Sequence, residues 1–389
     1  MKKKRIGILT GGGDVPGLNA VIKSVVYGCG PEYQVVGIRR GWMGLTHVDL
    51  SNGLDPDYIL PLDRGNTRTV GRTGGTFLHT SRTRPSKIQV SKLPKKILPK
   101  IAQCTLVDDD LVDMTPVVLE NLQRLKIDHL LAIGGDDTLS YAARLHREGF
   151  PVVAVPKTMD NDVQNTEYCI GFSTALTRAV AAISRQRTTI GSHERIGIFR
   201  IFGRDSGFTA LYTAYVTSLR CCIPEVTFNL EKLISLLTDD KKNNSSSYAI
   251  VMLSEGATWE GREVTSYGEP DAYGHKKKGN VGEAFSEEVK RRTGENTVVS
   301  DLTYDLRGGT PDFTDTMVAF TFANMAVECI QDGSTGRMMA IQNGCYIDAD
   351  LPDPTIGSRR VDVDSMYDPE RYRPTYRNKR NLPIFLTRV

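Results

Sequence analysis

The chain has 389 residues, 40% hydrophobic and 24% charged, which allows a large core and two domains. Its net charge of +3 gives no electrostatic reason for a nucleic-acid partner, and no run of about 18 apolar residues is present for a transmembrane helix. The seven cysteines (29, 104, 169, 221, 222, 329 and 345) are odd in number and include no Cys-x-x-Cys pair, so mostly buried, reduced thiols are expected, not a disulfide or zinc framework.

Met1-Lys2-Lys3-Lys4-Arg5 has the charge of a secretory head. The apolar stretch after it runs only from Ile6 to Leu9 and ends in Thr-Gly-Gly-Gly, which makes it a strand. From there, short apolar runs alternate with helical patterns. Strands are predicted at Arg5–Leu9, Gln34–Ile38, His129–Ile133, Val152–Val155, Arg195–Ile201 and Tyr248–Leu253. Helices are predicted at Gly17–Tyr27, Val117–Leu125, Thr138–Glu148 and Thr174–Arg187. This alternation predicts parallel strands covered by helices, an α/β fold. Ligands of such folds sit beyond the C-terminal strand ends. Arg82–Lys100 carries seven Lys/Arg and no acid and is broken by prolines 85, 94 and 99; it reads as a solvated connection. Asn243–Ser247 reads as a polar loop. The tail from Gly357 to Val389, rich in Arg, Tyr, Asp and Pro, reads as a cover over the surface or an interface.

Seven motifs fall at strand ends. In Thr10-Gly11-Gly12-Gly13-Asp14, three glycines let backbone amides approach an anion at a helix start. Alone, that loop serves a structural turn or a phosphate site equally, and its spacing is neither Gly-x-Gly-x-x-Gly nor Walker A. Gly74–Arg82 offers hydroxyls, amides and the Arg82 guanidinium to a phosphate; His79 within it reads as a structural hydrogen bonder. Leu130–Ile133 runs into Gly134-Gly135-Asp136-Asp137-Thr138. Asp136 is a candidate Mg²⁺ ligand, since this hard cation takes oxygen ligands beside substrate phosphates. Asp137 is out of place on a phosphate loop, because its charge repels a long polyphosphate tail. In Val155–Asp162, two carboxylates two residues apart suit general-base work on a hydroxyl. Asp160 would take the proton, and Asp162 would tune it or help with metal. Lys157 puts positive charge where a transferred phosphoryl group gathers negative charge. The bland alternative is an Asx-rich turn. Arg195 with Phe202-Gly203-Arg204, then Ser254-Glu255-Gly256, then Tyr304 with Arg307-Gly308-Gly309-Thr310-Pro311, place arginine or glutamate beside glycine. That pattern suits clamping of a sugar phosphate.

Together, from residue 6 to about 340, these motifs resemble the phosphofructokinase family. The combination of Gly-Gly-Asp, Thr-x-Asp-Asn-Asp, Gly-Arg-x-x-Gly and Arg-Gly-Gly-x-Pro carries the likeness. The resemblance implies two similar three-layer α/β/α domains, with the active site in the cleft between them and at a subunit interface. Residues 1–171 plus about 306–350 would bind the phosphoryl donor, residues 172–305 would bind fructose 6-phosphate, and 351–389 would pack on the body. It implies Asp160 as the base on the sugar 1-hydroxyl and Asp136 as the Mg²⁺ residue. Gly12, Arg82, Gly135, Asp137 and Thr138 would hold the donor. Thr158, Asp160, Arg195, Phe202, Gly203, Arg204, Glu255, Tyr304 and Arg307 would hold the sugar phosphate, with Arg195 reaching in from a neighbouring subunit. Members that use ATP usually carry glycine at the positions of Asp137 and Lys157. The Asp and Lys pair resembles the pyrophosphate-dependent branch and joins Asp160 as catalytic. The implied partners are fructose 6-phosphate and pyrophosphate, in a cytoplasmic homodimer or homotetramer, with no nucleic acid and no membrane.

The chain also departs from the family. Val298 stands where a second cross-subunit arginine is common, and Tyr304 where a histidine is common. Lys23 and Tyr27 stand where allosteric members carry effector-binding arginines, so control of that kind is not expected. Three other readings are weighed. One is an ATP-dependent 6-phosphofructokinase. One is an NAD or lipid kinase, opposed by Thr158–Asp162 and Gly308–Pro311. The third is a non-catalytic nucleotide sensor, opposed by Asp136 and Asp160.

Overall fold

The computed structural model describes residues 3–262, 266–267, 277–377 and 379–389; Met1 and Lys2 of the basic head and Asn378 of the tail lie outside the described residues. The chain opens with β1 (Lys4–Thr10), α1 (Leu18–Gly28), β2 (Tyr33–Ile38), α2 (Met43–His47) and β3 (Ile59–Leu62). A small excursion follows with β4 (Ile88–Gln89), β5 (Thr105–Asp108) and β6 (Leu111–Asp113). Next come α3 (Thr115–Arg124), β7 (His129–Gly134), α4 (Asp136–Arg147) and β8 (Val152–Pro156). A second run holds α5 (Phe172–Ser192), β9 (Ile196–Ile201), α6 (Phe208–Thr217), β10 (Arg220–Cys222), α7 (Leu230–Lys242) and β11 (Ala249–Ser254). It continues through β12 (Ser266–Tyr267), β13 (Lys277–Lys278), α8 (Val281–Thr293), β14 (Thr297–Leu302) and α9 (Tyr304–Arg307). The chain then returns through α10 (Phe313–Gln331), β15 (Arg337–Gln342) and β16 (Cys345–Asp350), and ends with α11 (Val363–Met366), β17 (Tyr367–Asp368) and β18 (Arg373–Pro374).

Two principal sheets result. The first has the order β16-β15-β8-β7-β1-β2-β3, parallel except for β3 and β16 at its edges. The second has the order β10-β11-β9-β14 and is parallel throughout. The strands of the first come from residues 4–156 and 337–350, and those of the second from 196–302. Continuous apolar runs such as Leu130–Ile133 are wholly buried because helices cover both faces, as parallel sheets require. One large core cluster runs through both halves, joining Ile6 and Ile170 to Phe199 and Phe285.

Helix ends follow local chemistry. Asn229 Oδ1 accepts the Lys232 N–H at 2.9 Å to cap α7, and Asp312 Oδ1 accepts the Asp315 N–H at 2.9 Å to cap α10. α4 starts at Asp136, two residues earlier than the sequence reading, because acids are favoured in a first turn.

The reading of Arg82–Lys100 as a solvated connection is corrected. Ile88, Leu93 and Ile97 turn inward and form a separate small core with Val112, Met114 and Val117. Short 3₁₀ turns at Val90–Lys92 and Leu98–Gln103 replace any regular period, so the lysines hid the apolar positions. The tail packs on the body: Val361, Met366, Tyr367, Tyr372 and Tyr376 are buried. All seven cysteines are free thiols, with 169, 221 and 222 buried and 345 exposed. No helix among the described residues is long and apolar enough to cross a membrane.

Candidate active site

In the first sheet β1 and β7 are neighbours, yet their successors β2 and β8 lie on opposite sides of the pair. The chain therefore parts beyond the C-terminal ends of β1 and β7 and leaves a crevice there. The glycine loop and the Gly135–Asp137 turn border it. Gly12 has a left-handed backbone, φ 78°. It is pinned by its N–H to Ser81 O at 3.1 Å and by Thr80 Oγ1 to its carbonyl at 2.7 Å. His79 joins this region through its backbone: its carbonyl accepts Thr10 Oγ1 at 2.9 Å. A Cβ on Gly12 would meet Lys157 Nζ at 3.2 Å, and one on Gly13 would strike the Arg307 guanidinium. The missing side chains let two cations reach the loop.

Asp136 and Asp137 form the first turn of the 12-residue α4. The positive dipole end there favours these carboxylates and also attracts a phosphate. β8 leads to Lys157, which is 3% exposed and donates its N–H to Gly134 O at 2.9 Å. Burial, and then the Arg307 charge, bring the Lys157 ammonium down to a pKa of about 8, with Asp14 opposing.

The turn that follows carries the carboxylate pair. Asp160 N–H bonds Thr158 Oγ1 at 3.1 Å. Asn161 is left-handed, φ 54°, a conformation that asparagine tolerates. Its buried side chain donates to Glu167 O at 2.9 Å and accepts from Cys169 N–H at 2.8 Å. Asparagine thus shapes the turn, while the flanking aspartates face the cleft. Burial raises the Asp160 carboxyl, with Arg307 and Arg204 opposing and Glu255 adding to the rise. Asp162 is pushed well above the usual carboxylate range by burial and then by Asp160 and Asp136. Among the described residues, the buried Oδ1 of Asp160 has no hydrogen-bond partner. A carboxylate with a raised pKa and an unused acceptor beside a cleft is suited to taking a proton.

The second sheet supplies the opposite wall from the C-terminal ends of β9, β11 and β14. Arg307 Nη1 donates to Asp14 O at 3.1 Å, and its guanidinium lies 4.7 Å from the Phe202 ring centre. Phe202 in turn meets Tyr304 edge-on at 6.1 Å. Glu255 faces Arg200 across 3.6 Å. Arg178 of α5 donates to the carbonyls of Leu306, Gly308 and Thr310 and so holds the Arg307 loop.

The resulting cleft, about 290 Å³, is shared by both halves. Gly12, Arg82, Gly135, Asp136, Asp137 and Thr138 line its first side. Lys157, Thr158 and Asp160 line it from the turn after β8 of the same half, and Phe202, Arg204, Glu255, Tyr304 and Arg307 line it from the other. Gly203 stands behind the wall, where its carbonyl accepts Gly256 N–H at 3.0 Å. Arg195 is not brought to this cleft. It precedes the N-terminal end of β9, roughly 20 Å from the cleft end by the rise of a strand. Val298 lies in β14 opposite Gly197 and packs on the core, also away from the cleft. Gly13, Asp205 and Ser358, which had no assigned role, also line the cleft. Gly13 lies within the glycine motif and Asp205 follows Arg204 directly; Ser358 carries no signal of its own.

Among the described residues, no group of three or more His, Cys, Asp or Glu side chains is arranged to hold a metal ion. Mg²⁺ commonly takes one or two carboxylates together with substrate phosphates. Asp136 at a helix start, beside the raised Asp160 and Asp162 carboxyls, fits that demand.

Two sheet halves facing each other across a buried lysine, several arginines and paired carboxylates make the architecture of an α/β phosphotransferase. The chain belongs to the phosphofructokinase family: the family model named Phosphofructokinase matches residues 5–330. It is 35% identical over 364 residues to a pyrophosphate--fructose 6-phosphate 1-phosphotransferase of Streptomyces coelicolor, covering 92% of this chain and 96% of that protein. It is also 34% identical over 342 residues to an ATP-dependent 6-phosphofructokinase 3 of the same organism, covering 87% and 91%. A crystal structure of a pyrophosphate-dependent phosphofructokinase from Marinobacter aquaeolei shares the fold, with a TM-score of 0.71 at 20% identity, covering 98% of this chain and 90% of that one. Relatives of both donor types stand at similar identity, so general likeness does not choose a donor.

Proposed function

We propose that this protein transfers a phosphoryl group from pyrophosphate to the 1-hydroxyl of fructose 6-phosphate, giving fructose 1,6-bisphosphate and phosphate. The observation that carries the reading is that Asp137 and Lys157 line the same cleft as Asp160. Asp160 takes the hydroxyl proton. Lys157, with Arg82 beside the glycine loop, balances charge on the transferring group. Asp137 occupies the space and sign of charge that an α-phosphate would need, so it rejects ATP, whereas pyrophosphate has no such group. Thr158, Phe202, Arg204, Glu255, Tyr304 and Arg307 hold the sugar phosphate. Asp136 would hold Mg²⁺, whose chemistry when bound is to orient and neutralise donor oxygens. Pyrophosphate stores little driving force over the product ester, so the reaction runs both ways, in glycolysis or gluconeogenesis. The enzyme works in the cytoplasm as a homodimer or homotetramer, without effector control through Lys23 and Tyr27. Arg195, which is distant from its own cleft, then serves the site of a neighbouring subunit. Phe313, Met317 and Phe320, exposed along one face of α10, offer apolar surface for such an assembly.

The second reading, with ATP as donor, draws on the ATP-dependent relative at 34% identity. An aldolase-coupled rate measurement with pyrophosphate and ATP side by side decides between them. A large excess of pyrophosphate turnover is expected; equal or greater ATP turnover overturns the donor assignment.

A further inference from the structure

We propose that Arg359, in the C-terminal tail, is a positioning residue that holds the Asn161–Asp162 turn so that Asp160 presents its carboxylate to the cleft. The inference rests on the reading of Asp160 as the base. Arg359 is only 7% exposed. Its Nη2 donates to Asn161 O at 2.7 Å and to Glu167 O at 3.3 Å, and its backbone N–H donates to Asp162 O at 2.7 Å. Two consecutive carbonyls of the turn are thus bonded from one residue, directly after the left-handed Asn161. Ser358, one residue earlier, lines the cleft itself. Two residues later, Val361 N–H shares Glu225 Oε1 with Gly207 N–H, at 2.9 and 3.0 Å. The tail therefore ties the turn after β8 to the loop after β9, the two segments that carry Asp160 and Arg204.

A space-filling role does not account for an arginine here. The guanidinium stacks over Phe208 at 4.4 Å, while Nε and Nη1 have no hydrogen-bond partner among the described residues. Burying a charge with unused donors is unfavourable, and an apolar side chain would fill the same space without that loss. The charge is useful because carboxylates crowd the other side of the turn. Arg359 opposes the rise that burial, Asp160 and Asp136 impose on Asp162. Without it, the turn would be free to move its carboxylates apart.

The test compares Arg359→Gln and Arg359→Lys with wild type in the aldolase-coupled assay, using both pyrophosphate and ATP, with rates referred to the folded fraction. Arg359→Gln should lower kcat about 10- to 100-fold while the KM for fructose 6-phosphate stays within about threefold, the pattern of a displaced base with intact binding. Arg359→Lys, which keeps the charge, should recover part of kcat, and it carries the test if Arg359→Gln does not fold. Unchanged kcat, a rise in KM alone, or a loss that merely follows the folded fraction overturns the proposal. Wild-type turnover with ATP instead of pyrophosphate would defeat the donor reading and leave this comparison standing, since both reactions need the base. If wild type turns over neither donor, the functional reading fails. A crystal structure of Arg359→Gln then decides the positioning role: a displaced Asp160 carboxylate supports it, and an unmoved turn overturns it.

Discussion

Lys157 is an ammonium buried under the glycine loop, and its pKa of about 8 makes it sensitive to pH. Its ordinary value is 10.5, so the folded chain releases this proton at lower pH than the unfolded chain. The cation is present below about 8 and lost as pH rises through that value. In the free enzyme, kcat/KM for pyrophosphate should therefore fall on an alkaline limb near pH 8, and Lys157→Arg, which stays charged, should move that limb upward. The sign for stability is opposite. Between about 8 and 10.5 the unfolded state binds more protons, so wild type should gain stability relative to Lys157→Met as pH rises through that window, measurable by urea denaturation. Asp160→Asn removes the base but keeps the shape. The coupled assay should show kcat down by about 10²–10⁴, with fructose 6-phosphate binding nearly intact. More than half of wild-type turnover would rule out the role. Asp137→Gly removes the carboxylate that stands against an α-phosphate. ATP use should rise and pyrophosphate turnover should fall; adding Lys157→Gly should lower pyrophosphate use further, though not additively, since both act on one ligand. ATP use unchanged by Asp137→Gly would remove that residue as the cause of donor choice.

Among the elements, the joint between α5 and α10 sets how the second half returns to the first. Asp315 of α10 is fully buried and accepts from Tyr168 OH at 2.6 Å, Gly171 N–H at 2.7 Å, and both Thr174 N–H at 2.8 Å and Thr174 Oγ1 at 2.5 Å. These donors lie at the start of α5, where Gly171 takes a left-handed φ of 101°. Asp315→Ala would strand several buried donors at once. It should lower unfolding free energy by about 3 kcal/mol or more in denaturant titration while leaving kcat of the folded fraction nearly unchanged. A change below about 1 kcal/mol would show that the joint is held by apolar packing alone. α5 also steadies the site through α9 and the loop after it, because Arg178 holds the carbonyls on either side of Arg307.

For the whole molecule, the telling position is Arg195, at the far end of β9 from the cleft. If it serves a neighbour's site, Arg195→Ala protomers mixed with Asp160→Asn protomers should recover part of the activity, since each supplies what the other lacks. Arg195→Ala alone should raise the KM for fructose 6-phosphate more than that for pyrophosphate. No recovery in verified mixed oligomers would exclude a shared site.

How much was legible in the sequence follows from the range of each cause. Strands such as Leu130–Ile133, the glycine turns after them and the placement of Asp136, Lys157 and Asp160 at strand ends depend on near neighbours in the chain, so period and turn residues reveal them. The parallel order follows from strand–helix alternation. Other features depend on packing between distant segments and leave no local period. Ile88, Leu93 and Ile97 became a core only when Val112 and Met114 folded back on them. Gly13 had to be bare because Arg307 arrives from the other half of the molecule. Arg359 meets Asn161 across 198 residues of sequence, and such closures are stabilised by the finished core, which no spacing along the chain encodes.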